Sequence, residues 1–328
     1  MKNSCYDRAL SEVIGFVLLL GIIVAAVSLY STYLIPASGR EYEIAQMDSV
    51  GNQFTDYKLT VDALWSSRLI NVNSPSPVLN VNPLIATTTL KLGTGGNSPL
   101  SRLYSPFLNP APSVGTLAFN TTGDTLNIDS SSYHNSSGNR GEFPIRIASV
   151  EYSSNNYYWI QQRYSYQLGG VFLSQDEGTI NRVSPLISIT NAANRSIVVN
   201  IVPVQVYGNG SISSNNPVRL DILQKTVTPY NISSSSYYAN SWVNLSVTSA
   251  DPKTSAMWQQ LFREIAIREQ LDSLAYTTGT FYDPGTRRYT SFIQITGTNP
   301  DSNMNDVTLY VQRVEFDILM YSAGTATT

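Results

Sequence analysis

Charge, cysteine and histidine are all scarce in this chain of 328 residues. Charged residues make up 13% of it and the net charge is −3, whereas about a quarter of an ordinary soluble protein is charged. The one cysteine, Cys5, has no partner in the chain, which excludes an internal disulfide and a cysteine-rich zinc module. Basic residues form no block, so the electrostatic footprint of nucleic-acid binding is missing and this function is excluded.

Residues for catalysis are equally sparse. The single histidine, His134, lies in a Ser-, Asn- and Gly-rich segment, and the chain contains no Gly-x-Ser-x-Gly elbow. Carboxylate pairs such as Asp176 and Glu177 would suit a glycosidase, but nothing in their spacing selects one pair. We therefore predict no catalytic residue and no cofactor, and we expect a protein that is not an enzyme.

Two short motifs imitate ligand sites without completing them. Residues 301–306 begin like a calcium loop, but Asp306 stands where an EF-hand needs glycine and Gln312 where it needs glutamate. Residues 92–97 are glycine-rich but lack a phosphate-binding lysine. Both are interpreted as turns, and no metal site is predicted.

One long hydrophobic run is present near the start. Residues 13–38 carry no charge, and about 20 apolar residues are enough to cross a bilayer as a helix. Tyr30 and Tyr33 lie near its end, where aromatic side chains favour the membrane interface. A cleavable signal ending at Pro36–Gly39 is the alternative, but the apolar part of such signals is shorter. We predict a retained transmembrane helix over residues 10–35.

The basic residues before this run predict its orientation. Lys2 and Arg8 precede the span, and positive residues favour the cytoplasmic side. The chain is thus expected to cross the cell membrane once, with a cytoplasmic amino terminus and its large polar remainder outside the cell.

The residues that enter the span carry a family resemblance. Residues 7–15 read DRALSEVIG and lead into a long Leu/Ile/Val run. This pattern resembles the amino terminus of archaeal type IV pilins and their relatives, over roughly residues 1–65. The resemblance implies a leader over residues 1–9, with Arg8 and Ala9 before the cut of a prepilin-type peptidase and Leu10 as the first mature residue. It also implies pilin-like subunits, or other copies of the chain, as partners through the helix.

Glu12 has two interpretations, which the sequence leaves open. A carboxylate in the first turn of a helix is stabilised by the helix dipole and stays solvated at the membrane edge. By the resemblance, Glu12 would instead pair with the α-amino group of a neighbouring subunit inside an apolar bundle and fix the register of assembly. Bacterial pilins carry this glutamate fifth in the mature chain, whereas Glu12 would be third.

A second helical pattern follows Pro36 and Gly39. Apolar residues recur every three or four positions, and charged residues fall mostly between them. We predict an amphipathic extension over residues 36–68, with a kink near Pro36, that packs on the chain's own outer domain. The apolar positions are Ile44, Met47, Val50, Phe54, Tyr57, Val61 and Leu64.

Residues 69–328 are predicted to form an extracellular β-rich domain. Short apolar-alternating segments separated by polar turns are typical of an antiparallel β-sandwich or a jelly-roll-like fold. Asp251 and Pro252 begin one inserted helix, which buries Trp258 and Phe262. The strand signals cover residues 85–92, 116–119, 146–152, 157–160, 186–189, 197–207, 218–222, 243–247 and 307–320.

Two of these strands depart from simple alternation. In residues 197–207 apolar side chains occupy both the odd-numbered and the even-numbered positions, which face opposite sides of a strand. This pattern predicts a central strand buried on both faces. In residues 307–320 the alternation shifts phase at Gln312 and Arg313, and we predict a β-bulge there because a shift of one residue flips the faces.

Six asparagines match the N-glycosylation pattern, and all follow the span. An Asn- and Ser-rich chain also produces such matches by chance, and the sixth lies within a predicted strand. They are Asn120, Asn135, Asn194, Asn209, Asn231 and Asn244.

Tyrosine is abundant, with 21 residues, and its role has two interpretations. The aromatic side chains between residues 152 and 166 either pack as cross-strand pairs or form an exposed stacking surface for surface glycans or other chains. We favour packing.

Together these features predict a membrane-anchored, surface-exposed pilin-like structural subunit, minor or at the tip rather than major, for appendage assembly or adhesion. The alternative is a non-polymerising, membrane-tethered β-sandwich module that binds carbohydrate or a partner protein.

Overall fold

The chain folds as one long amino-terminal helix followed by a mainly-β domain. The computed structural model describes residues 4–72, 84–94, 109–121, 123–131, 144–191, 196–229, 239–240, 242–296 and 307–322. For residues 4–12, 67–72, 226–229 and 239–240 it describes the backbone alone. One further α-helix of the described chain interrupts the strands. The predicted order of a long helix, a mainly-β domain and one inserted helix is confirmed.

The amino-terminal helix has three consecutive parts. Helix α1 (Ser4–Leu29) passes through a π-helical turn (Tyr30–Leu34) into α2 (Ile35–Val72). In that turn the Ile35 amide donates to the carbonyl of Tyr30, five residues back. Pro36, which follows directly, has no amide to donate, and a π turn is one way for a helix to absorb such a residue. The irregularity predicted near Pro36 thus takes the form of a widened turn.

Helix α2 buries the stripe that the sequence predicted. Residues 47, 50, 54, 57 and 61 are at most 3% exposed, at alternating spacings of three and four, because such positions share one face of a helix. The remaining positions of the helix are mostly more accessible, such as Leu59 at 59%.

Eighteen strands follow within the described residues. In chain order they are β1 (Ile85–Lys91), β2 (Val114–Asn120), β3 (Thr125–Ser130), β4 (Ile145–Arg146), β5 (Ser149–Asn155), β6 (Arg163–Gln167), β7 (Gly170–Gln175), β8 (Gly178–Val183), β9 (Ile187–Asn191), β10 (Ile197–Ile201), β11 (Val204–Tyr207), β12 (Ser211–Ser214), β13 (Pro217–Pro229), β14 (Ala239–Asn240), β15 (Val243–Ser249), β16 (Tyr276–Asp283), β17 (Arg288–Ile295) and β18 (Val307–Ser322).

The strands form three sheets. The first has the order β1-β13-β18-β10-β9, with β11 and β14 also paired to β18; the second is β12-β2-β5-β6-β7-β8; the third is β16-β17-β15-β3-β4. Helix α3 (Pro252–Arg268) packs against the third sheet. Asp251 caps it by accepting from the amides of Lys253 and Thr254, so the predicted start at Asp251 and Pro252 is confirmed.

Two strand pairs are parallel in a domain predicted as an antiparallel β-sandwich or jelly-roll-like fold. Both β10 and β11 pair with β18 in parallel. The sixteen-residue β18 offers β10 and β11, which follow each other along the chain, two successive stretches of one edge, so both run in the same direction. The other pairs of described strands are antiparallel.

Two hydrophobic clusters fill the domain. The first, here the α2 core, joins the buried stripe of α2 to the first and second sheets, with Tyr152, Leu220 and Phe316 among its members. The second, here the α3 core, joins α3 to the third sheet and to β9, β10 and the start of β18, with Trp258 and Ile189 among its members.

Strand β18 belongs to both cores, and this corrects the predicted β-bulge. Val307 and Leu309 lie in the α3 core, whereas Val314, Phe316 and Ile318 lie in the α2 core. Ile197 of β10 pairs with Val307 and Val204 of β11 pairs with Val314, so the partner in β18 is 110 residues later in both cases. Because this difference does not change, β18 contains no extra residue at Gln312 and Arg313. The alternation shifts because the two cores lie on opposite faces of the strand. The irregular position is in the partner β13, between Gln224 and Thr226.

The same geometry explains residues 197–207. Ile197, Val199 and Ile201 belong to the α3 core, and Val204 and Val206 belong to the α2 core. This segment is therefore two short strands that face opposite cores, and the prediction of one strand buried on both faces is wrong.

Candidate functional site

Among the residues that the structure describes, nothing covers the helix between residues 13 and 34. Its apolar side chains are largely exposed, as with Leu18 at 63% and Ile22 at 70%. Among the described residues one helix, Val13–Ser66, is long and apolar enough to cross a membrane, and its most apolar stretch is not buried. Helix α1 therefore meets the requirement for a membrane span by its length and composition.

The residues at the entrance of the span lie in helical backbone. Arg8, Ala9, Leu10 and Glu12 all fall within α1, but their side chains lie outside the described part of the structure. The processing site before Leu10 and both interpretations of Glu12 therefore stay predictions.

Besides packing its buried stripe in the α2 core, helix α2 makes hydrogen bonds to the loop between β5 and β6. We call residues 156–162 the neck loop. The carboxylate of Glu43 accepts from two consecutive amides of this loop, Tyr157 at 2.7 Å and Tyr158 at 2.8 Å. Glu43 is only 1% exposed. Both carboxylate oxygens are thus used, and the charge is stabilised by charge-assisted hydrogen bonds.

Aromatic contacts extend this attachment towards the membrane span. The Tyr158 ring packs on Gly39 so closely that a methyl group added there would overlap it. The Arg40 guanidinium lies over the Trp159 ring, 4.3 Å from its centroid, a cation–π arrangement. Gly39 is the last residue of the uncharged run, and Arg40 is the first charged residue after it.

The sequence predicted a strand over residues 157–160, and this prediction is wrong. The amides of Tyr157 and Tyr158 donate to Glu43 rather than to a neighbouring strand. A buried carboxylate on α2 therefore replaces the ladder partners that these β-prone residues would otherwise use. The apolar and aromatic sequence carried no sign of that partner, which lies 114 residues away.

The tyrosines of β5 and β6 have a packing role, as we favoured. Tyr152, Tyr164 and Tyr166 are at most 3% exposed, and Tyr166 meets Tyr57 of α2 edge-on at 4.9 Å between centroids. Burial raises the pKa of Tyr57 and of Tyr166 well above the ordinary value, so both are neutral phenols that fill the α2 core. Tyr157 differs, with 60% of its surface exposed.

The described glycosylation candidates occupy three different settings. Asn209 is exposed between β11 and β12, Asn120 is half-buried at the end of β2, and Asn244 is half-buried within β15. Strand β15 is central, paired with β3 and β17. Asn135, Asn194 and Asn231 lie outside the described residues.

The remaining candidates for catalysis or metal binding lie either in an exposed turn or outside the described residues. Asp176 and Glu177 form the exposed turn between β7 and β8. His134 and residues 301–306 lie outside the described residues. Within the part of the chain that the structure describes, His, Cys, Asp and Glu form no group able to hold a metal ion.

One polar cavity of about 250 Å³ lies beside the amino end of α3. Asp124, one of its lining residues, accepts from the Ser249 hydroxyl at 2.9 Å, and Glu151 accepts from Ser149 at 2.7 Å. Arg163 approaches Glu151 at 3.9 Å. None of its lining residues is aromatic, so it offers hydrogen bonds but no stacking platform.

Comparisons of the chain with protein families, with curated proteins and with solved structures found no match.

Proposed function

We propose that this chain is a membrane-anchored, pilin-like structural subunit that displays its β domain at the cell surface, as a minor or tip component of an appendage. One observation carries the proposal. A single unbroken helix is uncovered and apolar over its first half and buries one face in the β domain over its second half. An uncovered apolar helix needs lipid or other helices around it, and both are available to a subunit that is inserted first and assembled later.

Processing before Leu10 is part of this proposal. A prepilin-type peptidase would remove residues 1–9 on the cytoplasmic side and leave the helix on the mature protein. Amino-terminal sequencing of the protein from its native membrane should give Leu10 as the first residue. A start at Met1, or after Gly39, would contradict the pilin assignment.

Glu12 provides the test of assembly. Glu12→Gln should reduce incorporation into surface filaments, seen by electron microscopy with an antibody to the β domain, while the protein stays in the membrane fraction. Glu41→Gln is the matched control, because Glu41 is an exposed residue of α2 and its variant should assemble normally. Normal filaments from Glu12→Gln would rule out the pairing role.

The second candidate is a tethered module that never polymerises and binds carbohydrate or a partner protein. The polar cavity beside α3, with its hydroxyl and carboxylate lining, favours it. In that case neither Glu12→Gln nor wild type would give filaments, and the anchored protein would bind members of a glycan panel. Asp124→Asn should then weaken that binding, with Asp176→Asn as the exposed control.

A further inference from the structure

We propose that the neck loop is a second membrane contact, which inserts Tyr157, Trp159 and Ile160 into the lipid headgroup interface beside the helix. This proposal rests on the membrane anchoring proposed above and adds to it where the β domain meets the lipid.

The level of the membrane surface along the helix follows from its rise. A helix climbs about 1.5 Å per residue, so a hydrocarbon core of about 30 Å that begins at Val13 ends near Tyr33. The headgroup layer adds about 5–7.5 Å on each side, so it ends near Ser38. Arg40 is the first charged residue after the span and lies at the outer edge of this layer, about 3 Å past Ser38 along the helix.

The β5–β6 hairpin lies along the helix and points its tip at this level. Tyr166 contacts Tyr57 at 4.9 Å between ring centroids, and Tyr164 stacks on Phe54 at 5.9 Å. At the end of the hairpin Tyr158 packs on Gly39. Successive contacts thus move down the helix towards the span, and the neck loop is the part of the hairpin nearest to the lipid.

The tip exposes the side chains that favour a membrane interface. Tyr157 is 60% exposed and Ile160 46%, and Trp159 is half-buried under Arg40. Tyrosine and tryptophan concentrate at the headgroup level because their rings are apolar and their polar atoms can remain hydrated. Polar residues flank the tip, including Asn155 and Gln161, so the apolar side chains form a confined patch.

The loop is already ordered for this contact. The Gln161 side chain binds the Asn156 backbone twice: it accepts from the Asn156 amide at 3.2 Å and donates to the Asn156 carbonyl at 2.7 Å. The side-chain amide of Asn156 donates from its Nδ2 to the carbonyl of Ile160 at 2.8 Å. With Glu43 holding two further amides, the amides of residues 156–158 and the carbonyls of Asn156 and Ile160 are already hydrogen-bonded, which lowers the cost of bringing this backbone into a less polar layer.

Spin labels in the full chain test the proposal directly. Labels are attached at Tyr157→Cys or Ile160→Cys in a Cys5→Ser background, in phosphatidylcholine nanodiscs that hold one copy each. Collision with oxygen, relative to collision with a water-soluble nickel chelate, should be severalfold higher than at Tyr310→Cys. Tyr310 is a matched control because it is 50% exposed and far from the helix. The Ser322 end of β18 lies near α2, since Ser322 pairs with β13, β13 pairs with β1, and Lys91 of β1 accepts a hydrogen bond from Gln46. Tyr310 is about 40 Å from Ser322 along the strand.

A label at Leu20→Cys separates the two proposals. If Leu20 reports lipid and both loop labels are as aqueous as Tyr310, the second contact is overturned and the anchor stands. An aqueous Leu20 would overturn the anchor itself. Because each nanodisc holds one copy, contact with a second chain cannot imitate lipid. Two independent exposed loop positions guard against one variant that fails to fold.

Discussion

The two halves of the amino-terminal helix are continuous in backbone but opposite in what surrounds them. In the described part of α1, residues 13–29, the apolar side chains are exposed to the rest of the described chain, whereas α2 has one apolar stripe that packs against the β domain. A helix that is apolar all round requires an apolar surrounding, and a helix with one stripe requires one partner surface. The same helix is thereby fitted to two environments, and the change falls at the π turn.

The largest expected effect sharpens this contrast. Phe54→Ala should lower the free energy of unfolding of the β domain by about 3–5 kcal/mol, because it leaves a cavity in the α2 core against Tyr164. Leu18→Ala removes a side chain of the uncovered half and should change that free energy by less than about 0.5 kcal/mol. Chemical unfolding of the full chain in detergent measures both. Equal losses would mean that α1 is also part of the folded domain.

The next effect concerns the attachment of the neck loop. Glu43→Gln leaves one of two amides facing an NH₂ group, and should cost about 2 kcal/mol, since hydrogen bonds to charged groups contribute about 1.5–3 kcal/mol. Hydrogen exchange at the amides of Tyr157 and Tyr158 should accelerate. Glu41→Gln, two residues away at an exposed position of the same helix, should change neither quantity. An unchanged exchange rate in Glu43→Gln would show that the hydrogen bonds to Glu43 do not hold the neck loop in place.

Adding one methyl group at a glycine in each half of the helix tests how closely each half is packed. Gly39→Ala should destabilise the domain by about 1 kcal/mol, because the methyl group displaces the Tyr158 ring. Gly21 has open space around it, so Gly21→Ala should leave the unfolding of the domain unchanged while favouring the helix. Thermal unfolding followed by near-ultraviolet circular dichroism reports both. A neutral Gly39→Ala variant would imply that Tyr158 has room to move.

The smallest expected effect concerns the ion pair of Arg219 and Asp221 on the first sheet and its contribution to stability. Asp221 accepts from Arg219 at 2.8 and 2.9 Å and from Thr87 at 2.8 Å, and the bonds from Arg219 hold the pKa of its carboxyl below the ordinary value. Since the folded pKa is the lower one, the stabilisation is present above the unfolded pKa of about 4 and disappears as pH falls through the folded value.

Asp221→Asn should therefore cost about 0.5 kcal/mol at neutral pH, and the variant should lose less stability than wild type on acidification from about pH 5 to the folded pKa. Unfolding measured at a series of pH values checks this. Parallel curves for the two proteins would contradict the assignment.

Sequence periodicity predicted the elements that bury one regular face. The stripe of α2, the cap at Asp251 and the strand around Leu220 all appear as expected, because each pattern depends only on local geometry. The errors occur where distant residues decide. The strand predicted at Tyr157 is a loop because Glu43 binds its amides, and the phase shift in β18 reflects two cores rather than a bulge. Gly39 and Glu43 gave no sequence signal as anchoring residues, since both also suit an ordinary helix surface.

Sharing β18 between two cores has a mechanical consequence. Force applied to the helix reaches the α2 core first, and β18 is one continuous strand through which it passes into the α3 core. The backbone between Val311 and Val314 is thus one covalent tie between the part of the head next to the helix and the remote part. Residues 197–207 and β7, whose Val171 and Phe172 lie in different cores, provide further ties. Tension on the helix is therefore shared among several strands.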